Sequence, residues 1–282
     1  MATAHDGTVK ENAMLDDAEV AEYLDRIGAK RPAAPDLEGL RHLQERHVLS
    51  VPFENIDYHL GREIHLGAQA FDKIVRQRRG GGCYEVNSAF GVLLASLGYA
   101  VEVLPGRVHR PEGLGPAMCH LALRVTLDGE AWLVDAGFGR NSRHPLRLHA
   151  ADLQEDPHGG YLVTPAQDGV GGFDVSLDGR PLYRIDDRPC RLEDFGPTLW
   201  WWRSSPDSPF LQELFCSLPL ADGGRVTLKD KRLVRIEGGA RTIEKPDTEQ
   251  ALLAAYRTHF GMDLDELPKG EGAGRTIGIR LT

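Results

Sequence analysis

The chain has 282 residues, of which 41% are hydrophobic and 27% charged, and its 33 basic and 42 acidic residues give a net charge of −9. These proportions are typical of a soluble globular protein long enough to bury its own core. The acidic balance, with no basic block beyond Arg76–Arg79, argues against nucleic-acid binding. No run of about 18 apolar residues predicts a membrane span, and the N-terminus lacks the apolar stretch of a signal peptide.

Helices are predicted for the first hundred residues. Asp16 begins a capping-box pattern, apolar residues follow it at helical intervals, and Gly28 predicts the end of that helix. A second helix is predicted after Asp36. A third begins near Cys83, carries an apolar stripe and ends at Gly98.

After residue 98 the apolar period changes to the alternation typical of strands. The alternating segments are 101–103, 121–125, 132–134, 175–185, 226–228 and 233–236. A turn signal at Asp128-Gly129 predicts a hairpin, and Thr248–Phe260 predicts a helix that ends at Gly261. The order along the chain is therefore helical, then antiparallel β, then a small mixed α/β portion.

The four cysteines, Cys83, Cys119, Cys190 and Cys216, are far apart and form no Cys-x-x-Cys pair. In a chain of this length that spacing disfavours a disulfide framework and favours a reduced, cytoplasmic protein. A zinc site from Cys83, Cys119 and His120 is an alternative by residue type, but its spacing fits no common zinc pattern. We therefore expect no bound metal.

One of these cysteines has a distinctive setting. The stretch RRGGGCYEVN, residues 78–87, places three glycines directly before Cys83 at a predicted helix start. Most free cysteines are small buried hydrophobes, which we expect of the other three. At a helix start, however, backbone N–H groups and the helix dipole favour a thiolate, the form that acts as a nucleophile. The same N–H groups are candidates to hold a developing oxyanion.

A cysteine nucleophile needs a base, and of the 11 histidines His120 is the one whose strand can be placed. If Asp128-Gly129 is the two-residue turn of a hairpin, Asp135 lies opposite Ala122. Asp135 is then a diagonal neighbour of His120 on the same sheet face, about 7–8 Å away between backbones. A three-residue loop would put Asp135 on the other face. A structural His–Asp pair without a nucleophile remains the alternative.

Four blocks of the sequence, in this order and at this spacing, resemble the arylamine N-acetyltransferase family. They are VPFENIDYHLG (51–61), RGGGCYEVN (79–87), CHLALRV (119–125) and WLVDAGFGR (132–140). A fifth segment, WWWRSSPDSPF (200–210), is similar to the one that leads into the family's third domain. The resemblance extends from about residue 18 to past residue 261, which is nearly the whole chain.

The resemblance implies both a fold and a reaction. The fold would be α+β with a cysteine-protease-like core: a helical bundle (1–98), a central antiparallel β-barrel (99–205) and a C-terminal α/β lid (206–282). Cys83, His120 and Asp135 would be the catalytic triad. Acetyl-CoA, a substrate rather than a permanently bound cofactor, would acylate Cys83, and an arylamine or hydrazine would then take the acetyl group in a ping-pong reaction.

By the same resemblance, the substrate and cofactor pocket would include Gly82, Val108, Phe138 and Gly139. Many family members have an aromatic residue directly before the catalytic cysteine, where this chain has Gly82. The missing side chain predicts room for an acyl group bulkier than acetyl. The runner-up function is therefore an amide synthase that releases a polyketide chain from a carrier-protein thioester as a macrolactam.

Two further functions would use the same residues, and two features are expected to be structural. With water as acceptor the protein would be a hydrolase, and with an inactive site it would be a binding module, which the intact Cys, His and Asp set argues against.

Glu54 is expected to be buried against arginines such as Arg79. The Trp200–Trp202 run is expected to pack between domains rather than to form a stacking platform.

Overall fold

The computed structural model describes residues 14–150, 152–167 and 171–268. Its first part is helical, as predicted, and contains α1 (Asp17–Ile27), α2 (Leu37–Ser50), the two-residue strand β1 (Phe53–Glu54), α3 (Ile56–Leu60), a 3-10 turn (Gly67–Ala70), a π-helical turn (Asp72–Arg76) and α4 (Cys83–Ser96). Later in the chain lie α5 (Gly196–Ser204), α6 (Pro209–Gln212) and α7 (Glu249–Phe260). Within these described ranges, no helix is long and apolar enough to cross a membrane.

Side-chain caps explain where α1 begins and ends. Oδ1 of Asp16 accepts a hydrogen bond from the Glu19 N–H at 2.8 Å, and Oε2 of Glu19 accepts one from the Asp16 N–H at 3.0 Å. Gly28 ends the helix in the left-handed conformation, at φ +65°. The predicted capping box and terminal glycine are therefore confirmed.

The central helix of the protein is α4. All of its residues except Ser96 are buried, whereas the sequence predicts an apolar stripe on one side. The reason is that α4 packs against other helical segments and also against strands of the central sheet. Because it is enclosed on all sides, the position of its first residue, Cys83, is tightly determined.

The central part of the chain forms a nine-stranded antiparallel sheet. Its strands are β2 (Ala100–Arg110), β3 (Gly113–Leu114), β4 (His120–Leu127), β5 (Glu130–Val134), β6 (Leu146–Arg147), β7 (Gln154–Asp156), β8 (Gly159–Pro165), β9 (Phe173–Leu177) and β10 (Arg180–Ile185). They are hydrogen-bonded in the order β6-β5-β4-β2-β10-β9-β8-β7, and β3 pairs with β2. Because β6 also approaches β8, the sheet curls into a nearly closed barrel.

The hairpin between β4 and β5 has the predicted register. Leu127 faces Glu130 across the turn, and Leu123 faces Val134. The turn consists of Asp128 and Gly129, with φ values of +50° and +82°. A type I′ turn requires a positive φ at both of its central residues. The even loop length is therefore confirmed, and with it the face on which Asp135 lies.

The last part of the chain is a five-stranded sheet covered by α7. Its own strands are β11 (Phe215–Pro219), β12 (Arg225–Lys229), β13 (Arg232–Glu237) and β14 (Ala240–Glu244). The fifth strand is β1, which the sequence did not predict and which pairs with β11 at the sheet's edge. The α+β architecture is thus confirmed. The division into domains at residues 98 and 205 stays a prediction, and β1, from the first predicted domain, belongs to the sheet of the third.

The tryptophan run on α5 behaves in two ways. Trp202 is buried in the core that joins the helices to the outside of the barrel, and the Trp201 ring packs against it. These two residues therefore pack as predicted. Trp200, in contrast, is 67% exposed and contributes little to the core.

Candidate active site

Close backbone packing requires the glycine run before α4. A Cβ at Gly80 would lie only 1.9 Å from the carbonyl oxygen of Pro52. The Gly81 N–H donates to that same oxygen at 3.3 Å, and the Gly81 carbonyl accepts from the Glu54 N–H at 3.1 Å. The glycines thus allow the loop that leads to Cys83 to lie directly against the chain at β1.

Gly82, the helix cap, differs from the sequence expectation in two respects. Its N–H donates to Oε2 of Glu85 at 3.1 Å, so this donor is not free to hold an oxyanion. A Cβ at this position would lie 3.1 Å from Cε1 of Phe210 on α6, so an aromatic ring from a distant segment borders the predicted open space. Its φ of −73° is ordinary, and therefore no left-handed conformation explains the glycine.

His120 and Asp135 form a buried pair next to Cys83. Nε2 of His120 lies 2.8 Å from Oδ2 of Asp135, and both side chains are at most 2% exposed. Cys83 lies near His120 and acts to raise the pKa of its imidazole. Since Nε2 faces the carboxylate, Nδ1 is the ring nitrogen left for the thiol. The structure therefore brings the three predicted residues together in the order cysteine, imidazole, carboxylate.

Each partner of this pair stabilises the charge of the other. Burial lowers the pKa of the His120 imidazole, but Asp135 and Cys83 outweigh burial and raise that pKa to about 10. For Asp135 burial acts to raise the pKa, while His120 and two further hydrogen-bond donors hold it below its usual value. At neutral pH the pair is therefore an imidazolium and a carboxylate.

Asn87 connects α4 to the carboxylate. It lies one helical turn after Cys83, and its Nδ2 donates to Oδ1 of Asp135 at 2.9 Å and to the Leu121 carbonyl at 2.6 Å. Its Oδ1 accepts from the Ala136 N–H at 2.7 Å. Because the amide uses both its nitrogen and its oxygen in these bonds, it fixes the carboxylate relative to the helix.

Two aromatic rings lie against the imidazole of His120. The ring centroids of Phe138 and Tyr183 are 5.1 Å and 4.7 Å from it. Burial, together with the nearby Asp135 carboxylate, raises the pKa of the Tyr183 phenol well above its usual value. Phe138 thus lies beside the imidazole, its role in binding substrate staying a prediction, and Tyr183 is a neutral phenol at the site that the sequence did not reveal.

Val108 and Gly139, the other two predicted pocket residues, adjoin these groups. Val108 faces Tyr183 across β2 and β10, and its N–H donates to Sγ of Cys119 at 3.2 Å. Gly139 has φ +83°, and a Cβ there would lie 3.2 Å from the ring of Phe53. Their roles in binding substrate remain predictions.

A group of buried charged side chains supports the glycine loop. This loop cluster consists of Glu54, Asp57, Lys73, Arg79 and Glu85. Arg79 Nη2 donates to Glu54 at 2.8 Å, the predicted pair, and Lys73 Nζ lies 2.7 Å from both Asp57 and Glu85. Three carboxylates face two cations, and burial raises the pKa of Glu85 although Lys73 acts in the opposite direction. Through Glu85, the loop cluster holds the backbone at the helix cap.

A buried thiol, imidazole and carboxylate in series, at a helix start against a barrel, have the arrangement of thiol enzymes that transfer or hydrolyse acyl groups. A family described as N-acetyltransferase matches residues 36–268. The arylamine N-acetyltransferase of Escherichia coli (strain K12) is 34% identical over 255 residues, which is 88% of this chain and 90% of that protein.

Solved structures agree with the sequence comparison. An arylamine N-acetyltransferase from Salmonella typhimurium matches with a TM-score of 0.81 and 30% identity, covering 92% of this chain and 96% of that one. The Mycobacterium marinum arylamine N-acetyltransferase in complex with CoA matches with a TM-score of 0.78 and 31% identity, covering 86% and 93%. This chain belongs to the arylamine N-acetyltransferase family, and the protein is an acyltransferase.

Proposed function

We propose that the protein transfers an acetyl group from acetyl-CoA to an arylamine or hydrazine through a thioester on Cys83. The observation that carries this proposal is the placement of His120 between Cys83 and Asp135, with Nε2 to Oδ2 at 2.8 Å. The CoA complex of a related structure supports the choice of donor. Gly82, Val108, Phe138 and Gly139 are proposed to border the pocket, and a reducing cytoplasm would keep the thiol free.

The reaction would take place in two balanced steps. In the first, the Cys83 thiolate attacks the carbonyl carbon of acetyl-CoA, the bond to the CoA sulfur breaks, and His120 gives its proton to the leaving thiolate. In the second, a neutral amine attacks the acetyl carbon. His120 takes the amine proton as the bond to Sγ breaks, which restores the thiolate–imidazolium pair. Asp135 would orient the imidazole and stabilise its charge throughout.

Intact-mass measurement tests the thioester directly. We expect an acetyl-sized mass increase after acetyl-CoA is added, and its loss when an arylamine follows. Cys83→Ala should prevent the increase while the fold persists, whereas Cys190→Ala, at a half-buried cysteine outside the site, should not. Wild-type turnover in Cys83→Ala would falsify the proposal. An acyl-enzyme that decays equally fast without amine would instead indicate a hydrolase.

The macrolactam-forming alternative depended on open space beside Gly82. The Phe210 ring lies in that direction, so this feature gives the alternative, and a carrier-protein partner, no added support. A panel of acyl-CoAs and longer thioesters in the same mass measurement decides between the two functions. Acylation by long polyketide-like thioesters but not by acetyl-CoA would favour the amide synthase.

A further inference from the structure

A cavity of about 370 Å³ lies at one end of the barrel, apart from the Cys83–His120–Asp135 series. It is lined by Arg140, Leu177, Asp178, Arg180 and Leu182. Its walls therefore combine two leucines of the β9–β10 hairpin with two guanidinium groups and one carboxylate. Apolar walls with a few convergent charges are typical of a site for a small charged ligand.

The two guanidinium groups are not neutralised by the protein. Within residues 14–150, 152–167 and 171–268, neither the Arg140 nor the Arg180 side chain forms a hydrogen bond or an ion pair. The single carboxylate, Asp178, uses Oδ1 to accept from the Gly160 N–H at 2.9 Å. Arg188, in contrast, is a surface arginine that is paired with an acidic residue, Asp186.

A third cation adds to the positive field. Nη1 of Arg225 donates to the uncharged Oγ of Ser217 at 3.1 Å. Burial, and to a smaller extent the nearby Arg140, lower the pKa of Arg225 to about 10. The lining itself carries two guanidinium groups and one carboxylate, which leaves positive charge in excess there although the chain as a whole carries −9. Such a place attracts a multiply charged anion.

The cavity is joined to the active-site candidate through the loop after Asp135. Phe138, which lies against the His120 ring, packs with Leu177 and Leu182 in the same barrel core. Two residues later, the carbonyl of Arg140 accepts a hydrogen bond from the Tyr161 hydroxyl at 3.0 Å, which fixes the backbone there. The loop that carries Phe138 and Arg140 therefore connects the cavity to the His120 side chain.

We propose that Arg140 and Arg180, supported by Arg225, bind a phosphate group of the acyl donor. The inference rests on the proposed function, since CoA carries a diphosphate and a 3′-phosphate beyond the arm that ends in its thioester. A phosphate matches the excess of positive charge better than a carboxylate does, because it carries more negative charge and accepts paired guanidinium hydrogen bonds.

Donor truncation tests this assignment. For Arg140→Gln and Arg180→Gln, the ratio of kcat/KM for acetyl-CoA to that for S-acetylpantetheine should fall about tenfold or more. Arg188→Gln, at a 77% exposed side chain paired with Asp186, is the matched control and should leave the ratio unchanged. Acetyl-dephospho-CoA, which lacks the 3′-phosphate but keeps the diphosphate, shows which phosphate is bound. In the wild-type protein it should have a higher kcat/KM than S-acetylpantetheine only if the arginines bind the diphosphate. An unchanged ratio between the two donors would overturn the proposal. It would also be overturned if kcat/KM fell for the acceptor 4-aminobenzoate, which carries a carboxylate, but not for 4-methylaniline, because the arginines would then bind the acceptor.

A binding measurement separates this proposal from the proposed reaction. Calorimetric titration of adenosine 3′,5′-diphosphate and of CoA into Cys83→Ala protein needs no acyl transfer. We expect CoA to bind and Arg180→Gln to weaken it about tenfold in that background. Equal affinity with and without the arginine, or no binding of either probe, would overturn the phosphate site whether or not the enzyme acetylates amines.

Discussion

Asn87 donates a hydrogen bond of 2.9 Å from Nδ2 to Oδ1 of Asp135, and thereby ties the helix that begins with Cys83 to the carboxylate at the end of β5. The two residues are 48 positions apart in sequence. The thiol and the carboxylate are thus placed by the same helix, one through its first residue and the other through the side chain one turn later. Their relative position does not depend on the imidazole between them.

Replacing this amide should affect orientation more than binding. Asn87→Ala leaves the buried Ala136 N–H without its partner and leaves Oδ1 of Asp135 with only the Gly137 N–H, which should lower the free energy of unfolding by about 1–3 kcal/mol. We expect kcat to fall while KM for the amine changes little, because Asn87 positions Asp135 without touching the reacting atoms. Steady-state kinetics and urea denaturation measure the two effects. A raised KM with unchanged kcat would contradict the positioning role.

The charge of His120 should persist well above neutral pH. Its pKa is raised from 6.5 to about 10, so its contribution to stability is fully present below pH 6.5 and is lost as the pH rises through about 10. NMR titration of the imidazole resonances measures this directly. Asp135→Asn removes the main group that raises the pKa, and should therefore lower the midpoint. A His120 midpoint near 6.5 in the wild-type protein would exclude the ion pair.

Removing one cation from the loop cluster should destabilise the fold. Lys73→Met leaves three buried carboxylates with one buried guanidinium, Arg79, and the half-exposed Arg62 at 3.7 Å from Asp57, a change that should cost about 3–5 kcal/mol of unfolding free energy. The matched control is Lys229→Met. Its ammonium group also lies 2.7 Å from a carboxylate, Glu213, but both side chains are at least half exposed, so the change should be about 0–1 kcal/mol. Chemical denaturation compares them, and equal losses would contradict the buried network.

Phe210 should limit the length of the acyl group. Phe210→Ala removes the ring beside Gly82, and should raise kcat/KM for hexanoyl-CoA relative to acetyl-CoA by about tenfold or more. Gly82→Phe should shift the ratio the other way, since a second ring cannot share that space. General damage to the loop would lower kcat/KM for both donors alike, so the ratio between the donors controls for it. Equal changes with both donors would mean that Phe210 only supports the loop.

Local rules explain how much of the site could be predicted. A two-residue turn fixes the register of β4 and β5, so Asp135 could be placed on the face of His120 from the sequence alone. The nucleophile position followed from glycines before a helix. Phe210, however, reaches Gly82 from a far part of the chain, and no periodicity encodes such a contact.

Asn87 and Tyr183 were missed for different reasons. Asn87 is the last residue of the block RGGGCYEVN, four residues after Cys83. Residues at this spacing share one face of a helix, so the sequence could have placed Asn87 beside the nucleophile. Tyr183 depends on how β10 packs beside β2, which only the closed barrel determines. Likewise, β1 is two residues long, too short for any alternation to appear.

The pairing of β1 has a consequence for the order of synthesis. Glu54 of β1 bonds to Gly81 of the loop before Cys83, and it faces Cys216 of β11. When a nascent chain has been synthesised only to the end of the barrel, it already contains Cys83, His120 and Asp135. It does not yet contain β11, the strand that pairs with β1. The segment leading to the thiol therefore reaches its final form only when the last quarter of the protein has left the ribosome, so that premature termination there yields a barrel with an unsupported nucleophile.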